Sequence, residues 1–337
     1  MCLHFECRVR SAATCDLHSV QANSFTEMLY SSLTGPVTPA AVNSARKLPP
    51  SKPMSHSHDE LASLTQMRVS ISDDGVATVT LASAHSNSLS LSAFDELHRT
   101  FSTLGAMADV RCVLLHGEGR HFCSGIDLGS FTTLMSGDPT ACPARRNTQL
   151  YRNIQKLQAA VSSLEDCRVP VVAAIHGACL GGAIDLVLSA DIRLATRDSS
   201  WGVIEAELGF AADLGTLARL PRVVGEGRAR ELAMTCRRFS GAEALQYGLV
   251  TSTFDDLTAL MTEARALAAR LAASSPLAMI ATKAELLHGR DRRVADALDH
   301  IAWRNAATLA SDDLTKALAA RSSGRRAGGR PVTFAKL

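Results

Sequence analysis

Three carboxylates stand close together in one apolar part of this chain. Asp185, Glu205 and Asp213 all fall within residues 169–217, where most other residues are aliphatic or glycine. A carboxylate among apolar neighbours is costly to bury unless it is paired or used in chemistry. The first of them ends a glycine-rich turn, His176-Gly-Ala-Cys-Leu-Gly-Gly-Ala-Ile-Asp185, whose backbone a ligand can approach closely. The pattern therefore indicates proton transfer beside a polarised carbonyl.

Bulk composition narrows the class of protein. The 337 residues are enough for one large domain or two small ones, and 46% hydrophobic with 20% charged residues is ordinary globular composition. A net charge of +2 gives no general attraction to nucleic acid or membranes. Nine scattered cysteines without a Cys-x-x-Cys pair predict reduced thiols in an intracellular protein and no zinc site. No apolar run reaches membrane-spanning length, and the N-terminus lacks the apolar core of a signal peptide.

Strand, glycine turn and helix recur along the middle of the chain, which predicts an α/β fold. Val69–Ser72 and Val76–Leu81 alternate around Asp73-Asp74-Gly75, a hairpin pattern. Helical spacing of apolar residues follows at Leu91–Gly105. The other predicted elements are a strand at Val110–His116, a helix at Tyr151–Cys167, a strand at Val171–His176, a helix around Ile184–Ser189 and a strand at Asp191–Ala195.

Four regions are predicted along the chain. Residues 1–65 are rich in Ser, Thr, Pro and Ala and should have little fixed structure. They are either a transit peptide or a non-functional extension ahead of a start at Met54. Residues 66–256 form the α/β core, 257–320 read as successive helices, and 321–337 form a flexible tail.

Several stretches, in the right order, resemble the enoyl-CoA hydratase/isomerase (crotonase) superfamily. They are His121-Phe-Cys-Ser-Gly-Ile-Asp-Leu128, Pro170 through Asp191, Glu207 through Gly225, and Ala242-Glu-Ala-Leu-Gln-Tyr-Gly-Leu-Val250. The resemblance covers about residues 67–337. It implies a spiral core of ββα repeats, a C-terminal helical part that forms trimers or dimers of trimers, and a fatty acyl-CoA thioester as substrate.

Within the superfamily, the carboxylates resemble those of Δ3,5-Δ2,4-dienoyl-CoA isomerases. Ordinary hydratases usually carry glutamate where this chain has Asp185, whereas the dienoyl isomerases carry aspartate there, with acids matching Glu205 and Asp213. The resemblance implies that Glu205 takes a proton from C2, that Asp213 delivers one at C6, and that Asp185 assists. Which carboxylate starts protonated stays open, because closely spaced carboxylates can share a proton.

The resemblance also implies which residues contact the substrate. Two backbone N–H groups, of Ile126 and Gly182, would bind the thioester oxygen as an oxyanion hole. Further contacts are expected at Ser124, Gly125, Asp127, Gly181, Phe210 and Lys283. Lys283 is included because the stretch His85–Leu89 lacks the cation that the family often places near the CoA phosphate. No metal, flavin or nicotinamide site is visible, and coenzyme A enters only as part of the substrate.

Each chemical assignment has a simpler structural alternative. Asp185 could be a buried structural acid that forms a cap or pairs with Arg193, and Asp213 could be a helix N-cap. Glu207 competes with Glu205, because one of the two should be solvated. The thiols of Cys123 and Cys179 are expected to be small core side chains and not nucleophiles.

The last three residues, Ala335-Lys336-Leu337, resemble the peroxisomal address Ser-Lys-Leu. They predict an import receptor as partner and a peroxisome or peroxisome-like organelle such as a glycosome, with the mitochondrion as the alternative. The basic segment 321–330 fits a tether better than a nucleic-acid arm, since it has no aromatic residues. Two rival functions remain: a Δ3,Δ2-enoyl-CoA isomerase or 2-enoyl-CoA hydratase on the same fold, and a non-catalytic RNA- or partner-binding protein.

Overall fold

A six-stranded sheet organises the part of the chain that the structure describes, residues 60–322 and 332–336 of a computed structural model. Its strands lie in the order β1-β2-β3-β4-β6-β9. The strands are β1 (Met67–Ile71), β2 (Val76–Leu81), β3 (Cys112–Gly117), β4 (Val171–Ile175), β6 (Ile192–Thr196) and β9 (Ser252–Phe254). The first pair is the predicted antiparallel hairpin, and every later pairing is parallel.

A second, three-stranded sheet lies beside the first, in the order β5-β7-β8. Its strands are β5 (Ala178–Leu180), β7 (Ser200–Gly202) and β8 (Phe239–Ser240). The chain passes from β4 into β5 and from β6 into β7, so strands of the two sheets alternate along the sequence. Two strands followed by a helix, repeated in this way, are the ββα units that the resemblance implies, and the predicted fold class is confirmed.

Helices follow the strands and cover both faces of the main sheet. The helices of the core are α1 (Leu91–Ala106), α2 (Leu128–Ser136), α3 (Pro143–Asp166), α4 (Gly182–Leu188), α5 (Thr216–Val224), α6 (Glu226–Thr235) and α7 (Gly241–Gln246). The apolar face of α1, including Phe94, Leu97 and Phe101, is fully buried in the larger core. Burial of such side chains contributes roughly 1.5–3 kcal/mol each.

The C-terminal region is helical, as predicted. It comprises α8 (Leu257–Ala272), α9 (Pro276–Gly289), α10 (Val294–Thr308) and α11 (Asp312–Ser322). Helix α8 buries Leu260 and three alanines against the outer face of the sheet. Helix α10 buries none of its residues within this single chain, and Trp303 on it is 76% exposed. An apolar helix face of this kind needs a partner surface.

The folded core begins a few residues before the predicted boundary at residue 66. Leu61 and Leu64 pack against the core, and the backbone N–H groups of Thr65 and Gln66 donate to the Glu96 carboxylate, so contacts begin before residue 66. The expected unstructured extension and the alternative start at Met54 lie outside the described residues. Within the described ranges, no helix is long and apolar enough to span a bilayer.

Candidate functional site

Two glycine loops meet at the centre of the site. Cys123 of the first loop pairs with Cys179 in β5, with Cys123 N–H donating to Ala178 O at 3.0 Å. Gly125 has φ of +97°, and a Cβ there would lie 2.6 Å from Leu180 O, closer than real Cβ atoms come. This position therefore requires glycine.

The backbone N–H groups of Ile126 and Gly182 lie close together where the two glycine loops meet. A Cβ built on Gly182 would lie 3.7 Å from Ile126 N, and one built on Gly125 would lie 3.5 Å from Gly182 N. Gly182 is the first residue of α4, so its N–H has no partner within the helix. Two such donors beside a helix N-terminus can hydrogen-bond a carbonyl oxygen that gains negative charge.

Asp185 is the most deeply buried of the three carboxylates. Its side chain is on α4, its residue is 1% exposed, and its Oδ1 accepts the N–H of Thr216 at 2.5 Å. Burial, followed by the charges of Glu205 and Asp213, raises its pKa from 3.8 to about 7, against the opposing effect of the Thr216 bond. The alternative pairing with Arg193 is wrong, because that guanidinium donates to main-chain carbonyls including Leu249 O.

Glu205 opens a 3₁₀ turn (Glu205–Leu208) and points inward, whereas Glu207 is exposed. Its Oε1 lies 3.4 Å from where a Cβ on Gly181 would be, which places the carboxyl beside the second glycine loop. Its Oε2 is buried and has no hydrogen-bond partner among the described residues. Burial raises the pKa of Glu205, and the charge of Asp213 raises it further. An unpartnered buried carboxylate oxygen is available to a substrate proton.

Asp213 follows on the next loop and is exposed in the single chain. Partial removal from water still raises its pKa. The Gln158 amide donates to Asp213 O at 2.7 Å and so anchors the loop to α3. The helix-cap alternative is wrong, since α5 begins at Thr216 with Gly215 in the cap position. The side chain of Asp213 is therefore free to serve another purpose.

A cavity of about 600 Å³ lies next to Glu205. Its wall includes Glu205 and Thr216 and is otherwise mostly apolar, with Val203, Ala206, Ala211, Ala212, Leu217, Leu220, Ala229, Ala233 and Met234. An apolar pocket with a few polar groups at one end suits a hydrocarbon chain that ends in a reactive head.

An aromatic pair connects α2 with the loop that follows the 3₁₀ turn of Glu205. Phe210, one of the predicted contacts, stacks on Phe131 of α2 with ring centroids 4.9 Å apart. Asp127 caps α2 by accepting Ser130 N–H, and the Ser124 hydroxyl donates to His85 O. Sequence reasoning missed Phe131 and also missed Thr216. The signal for Phe131 was its position one helical turn after the cap at Asp127.

Lys283 does not lie with the other candidate residues. Its ammonium is buried, forms an ion pair with Asp191 at 2.8 Å, and donates to Leu164 O and Val169 O. These contacts hold α9 against the core and leave no donor for a nucleotide. Its role in substrate binding stays a prediction that the geometry does not favour.

The cysteines near the site are embedded thiols. Cys123 and Cys179 are fully buried, and burial raises the pKa of Cys123 to about 12 and that of Cys179 well above its ordinary value. A thiol with such a pKa is a poor nucleophile. Within the described ranges, no cluster of three or more His, Cys, Asp or Glu side chains is arranged to hold a metal ion.

Comparison with known proteins agrees with this geometry. The family model described as enoyl-CoA hydratase/isomerase matches residues 72–321, most of the chain. The chain belongs to the enoyl-CoA hydratase/isomerase family. It is 43% identical over 255 residues (75% of this chain, 90% of the relative) to a protein of Arabidopsis thaliana named peroxisomal Delta(3,5)-Delta(2,4)-dienoyl-CoA isomerase. It is 38% identical over 243 residues (72% of this chain, 74% of the relative) to the human protein named as the mitochondrial form.

Solved structures of the family share the fold. An enoyl-CoA hydratase from Bacillus anthracis superposes with a TM-score of 0.72 at 28% identity and covers 80% of this chain and 99% of its own. An enoyl-CoA hydratase, named putative, from Thermobifida fusca, solved with acetoacetyl-CoA, has a TM-score of 0.66 at 31% identity, covering 75% of this chain and 97% of its own. Family membership therefore rests on sequence and on fold.

Proposed function

We propose that this protein isomerises 3,5-dienoyl-CoA to 2,4-dienoyl-CoA in the β-oxidation of unsaturated fatty acids. One observation carries the proposal: three mutually interacting carboxylates, Asp185, Glu205 and Asp213, have raised pKa values beside two convergent N–H groups. The names of the similar proteins from Arabidopsis thaliana and Homo sapiens support the same reaction.

In this mechanism the thioester oxygen accepts the N–H groups of Ile126 and Gly182. That interaction strengthens as negative charge develops, and one such donor typically lowers a barrier by about 2.7–4 kcal/mol. Glu205 removes the C2 proton with its unpartnered Oε2. Burial raises its pKa, which makes it a stronger base than an ordinary carboxylate.

The electrons of the broken C2–H bond delocalise onto the thioester oxygen and along the acyl chain as a dienolate, and the C2=C3 double bond forms when this dienolate is protonated at C6. The π electrons of C3=C4 move to form C4=C5. The π electrons of C5=C6 form a new C6–H bond with a proton that Asp213 supplies. Asp213 is eight residues beyond Glu205, on a loop anchored by Gln158, so the two acids can serve carbons at opposite ends of the dienolate. Protons move only between carbon and carboxyl groups, so the proposed reaction needs no separate cofactor.

Asp185 is proposed to position the other groups. It accepts Thr216 N–H and thereby fixes the start of α5, three residues after Asp213. Its proximity also raises the cost of ionising all three acids together, which favours a shared proton. Hydration requires two carboxylates that both hydrogen-bond one water molecule. Because Asp185 already accepts the N–H of Thr216, the hydratase alternative is less suitable.

The chain is proposed to act as a homo-oligomer in a peroxisome-type organelle. The exposed apolar side chains of Val294, Leu298 and Trp303 on α10 support assembly, and a trimer or a hexamer would satisfy them. The terminal Ala-Lys-Leu supports recognition by a peroxisomal import receptor. The peroxisomal name of the Arabidopsis thaliana relative favours the same compartment, and the mitochondrial human relative keeps the alternative open.

The decisive experiment follows the ultraviolet absorbance of the conjugated 2,4-dienoyl thioester with 3,5-octadienoyl-CoA as substrate. We expect Glu205→Gln and Asp213→Asn each to reduce turnover by roughly 10²–10⁴-fold, the range of general acid–base catalysis. Glu207→Gln is the matched control, because Glu207 is in the same turn but exposed.

Near-normal turnover in Glu205→Gln or Asp213→Asn would refute these roles. If the dienoyl substrate gave no signal while 2-enoyl-CoA was hydrated or 3-enoyl-CoA was isomerised, the fold assignment would stand and the proposed reaction would be wrong. Silence on all three substrates together with salt-sensitive RNA binding would instead support the binding-protein alternative.

A further inference from the structure

The described C-terminal segment, residues 332–336, lies in a groove on the body of the protein. Beside the segment a cavity of about 530 Å³, lined by the tail as well as by the body, lies where β1 turns into β2. Its walls are the turn Ser72–Gly75, the residues Asp109 and Arg111 ahead of β3, and the end of α8 at Ala272 and Ala273. The occupant includes two residues of the proposed targeting tripeptide.

The tail is held by charge and by its backbone. Arg111 Nη2 donates to Phe334 O at 2.8 Å and to Ala335 O at 3.0 Å. Lys336 Nζ forms an ion pair with Asp109 Oδ1 at 2.6 Å. Hydrogen bonds to a charged donor are stronger than neutral ones, so Arg111 is the principal anchor. The Lys336 pair is largely exposed and is therefore screened by salt.

Contacts within the body fix its side of the groove. Gly75 has φ of +85°, and a Cβ there would lie 2.8 Å from Asp109 O and 3.1 Å from Arg111 Cγ. Arg111 N–H donates to Gly75 O, and its Nη1 is 3.4 Å from Ala272 O. These contacts hold the guanidinium towards the tail. The acids Asp73 and Asp74 also line the groove, so its charge suits a basic segment.

We propose that this groove is a docking site for the chain's own C-terminus, and that docking withholds the Ala-Lys-Leu address from its receptor. The inference rests on the proposed address. A receptor that reads the tripeptide must offer an anion to Lys336 and donors to the tail backbone. Asp109 and Arg111 already occupy those groups, so the tail cannot serve both partners at once.

Competition of this kind has a simple quantitative form. The apparent dissociation constant of a ligand equals its intrinsic value divided by the fraction of protein in the binding-competent state. If the tail is docked nine times in ten, the full chain binds the receptor about tenfold more weakly than a free peptide of the same sequence. Variants that release the tail should recover most of that factor.

The first experiment measures how tightly the purified tripeptide-binding domain of the import receptor binds several ligands. They are the free peptide of residues 328–337, the full chain, and full-length Asp109→Asn, with Arg111→Gln as a second variant. Both substitutions leave the tripeptide intact. Asp255→Asn is the matched control, since Asp255 forms an exposed pair with Arg197 and touches no tail residue. We expect the peptide to bind about tenfold more tightly than the full chain, with Asp109→Asn and Arg111→Gln in between.

A second experiment needs no receptor. The rate at which a carboxypeptidase releases Leu337 and Lys336 from the intact protein is followed by mass spectrometry at low and high salt. We expect slow release at low salt, faster release at high salt, and fast release from Asp109→Asn under both conditions. Asp255→Asn should behave as the unaltered chain does.

The outcomes distinguish the proposed targeting address from the proposed docking site. If the peptide fails to bind the receptor while release from the full chain is slow and sensitive to Asp109→Asn, the address is wrong and the docking site stands. If the full chain binds as tightly as the peptide and is digested as fast as Asp109→Asn, the docking proposal is overturned. Release that slows as protein concentration rises would assign the contact to a neighbouring copy and would overturn docking within one chain.

Discussion

Replacing Asp185 by asparagine should stabilise the protein at alkaline pH while it impairs the enzyme. The side chain is almost fully buried and accepts Thr216 N–H through Oδ1. Asparagine has nearly the same shape and keeps an oxygen for that N–H, so the start of α5 remains anchored. The change removes only the ionisable group, and the consequence is therefore electrostatic.

The magnitude follows from the raised pKa of Asp185. Burial, together with Glu205 and Asp213, moves it from 3.8 to about 7, so the folded protein binds a proton that the unfolded chain has lost. Because the folded pKa is the higher one, this group's stabilisation is complete below pH 4 and is lost as pH rises through 7. Between pH 5 and pH 8 the loss is roughly 3 kcal/mol, since stability falls by about 1.4 kcal/mol for each pH unit up to pH 7 and hardly changes above it.

The assay is urea denaturation of the unaltered protein and of Asp185→Asn at pH 5 and pH 8, at one fixed protein concentration because assembly also contributes to stability. The difference in unfolding free energy between the two proteins should move in favour of the variant by roughly 3 kcal/mol on going from pH 5 to pH 8. Glu207→Gln is the control for changing a carboxylate to an amide in an exposed position.

A pH-independent difference would refute the reasoning, because it would mean that ionising Asp185 costs no more in the fold than in water. Asp185→Ala separates the charge from the hydrogen bond. Compared with Asp185→Asn, it leaves Thr216 N–H without its acceptor and should be less stable by about 1–3 kcal/mol at both pH values. Isomerase turnover of Asp185→Asn, measured on the same samples, should fall although the fold is retained.

Two further substitutions test the placement of the other residues. Lys283→Met should destabilise the fold by about 3 kcal/mol, because Asp191 loses its buried partner. The same change should leave KM for the acyl-CoA unchanged. Chemical denaturation measures the first effect, and steady-state kinetics measure the second. Gly125→Ala should reduce turnover by about 10²–10³-fold, because its Cβ would collide with Leu180 O and displace the oxyanion donor that follows it. A raised KM in the first variant, or normal turnover in the second, would contradict these assignments.

The local features of the site were predictable because short-range chemistry specifies them. A glycine required by positive φ, as at Gly125 and Gly181, follows from the loop sequence, and the hairpin around Gly75 follows from strand alternation. The order of the motifs predicted the family. Glu205 was also correctly preferred over Glu207 as the inward-facing acid.

Contacts between distant segments could not be read in this way. Lys283 was expected near the substrate but lies against Leu164 O and Val169 O, more than a hundred residues away along the chain. The Phe131–Phe210 stack arises only when α2 folds over the loop that carries Phe210. Such pairings depend on how helices pack on the sheet, and many packings satisfy the same periodicity.

The sequence alone thus determined the chemistry that is available: which acids are present, where the backbone is open to a ligand, and which residues end the chain. Tertiary structure alone decided how those groups are used. Asp185 accepts Thr216 N–H and does not pair with Arg193. Lys336 forms an ion pair with Asp109 although more than two hundred residues separate them along the chain. The physical reason is that burial and charge interactions depend on distance through space, which the fold sets and local sequence does not.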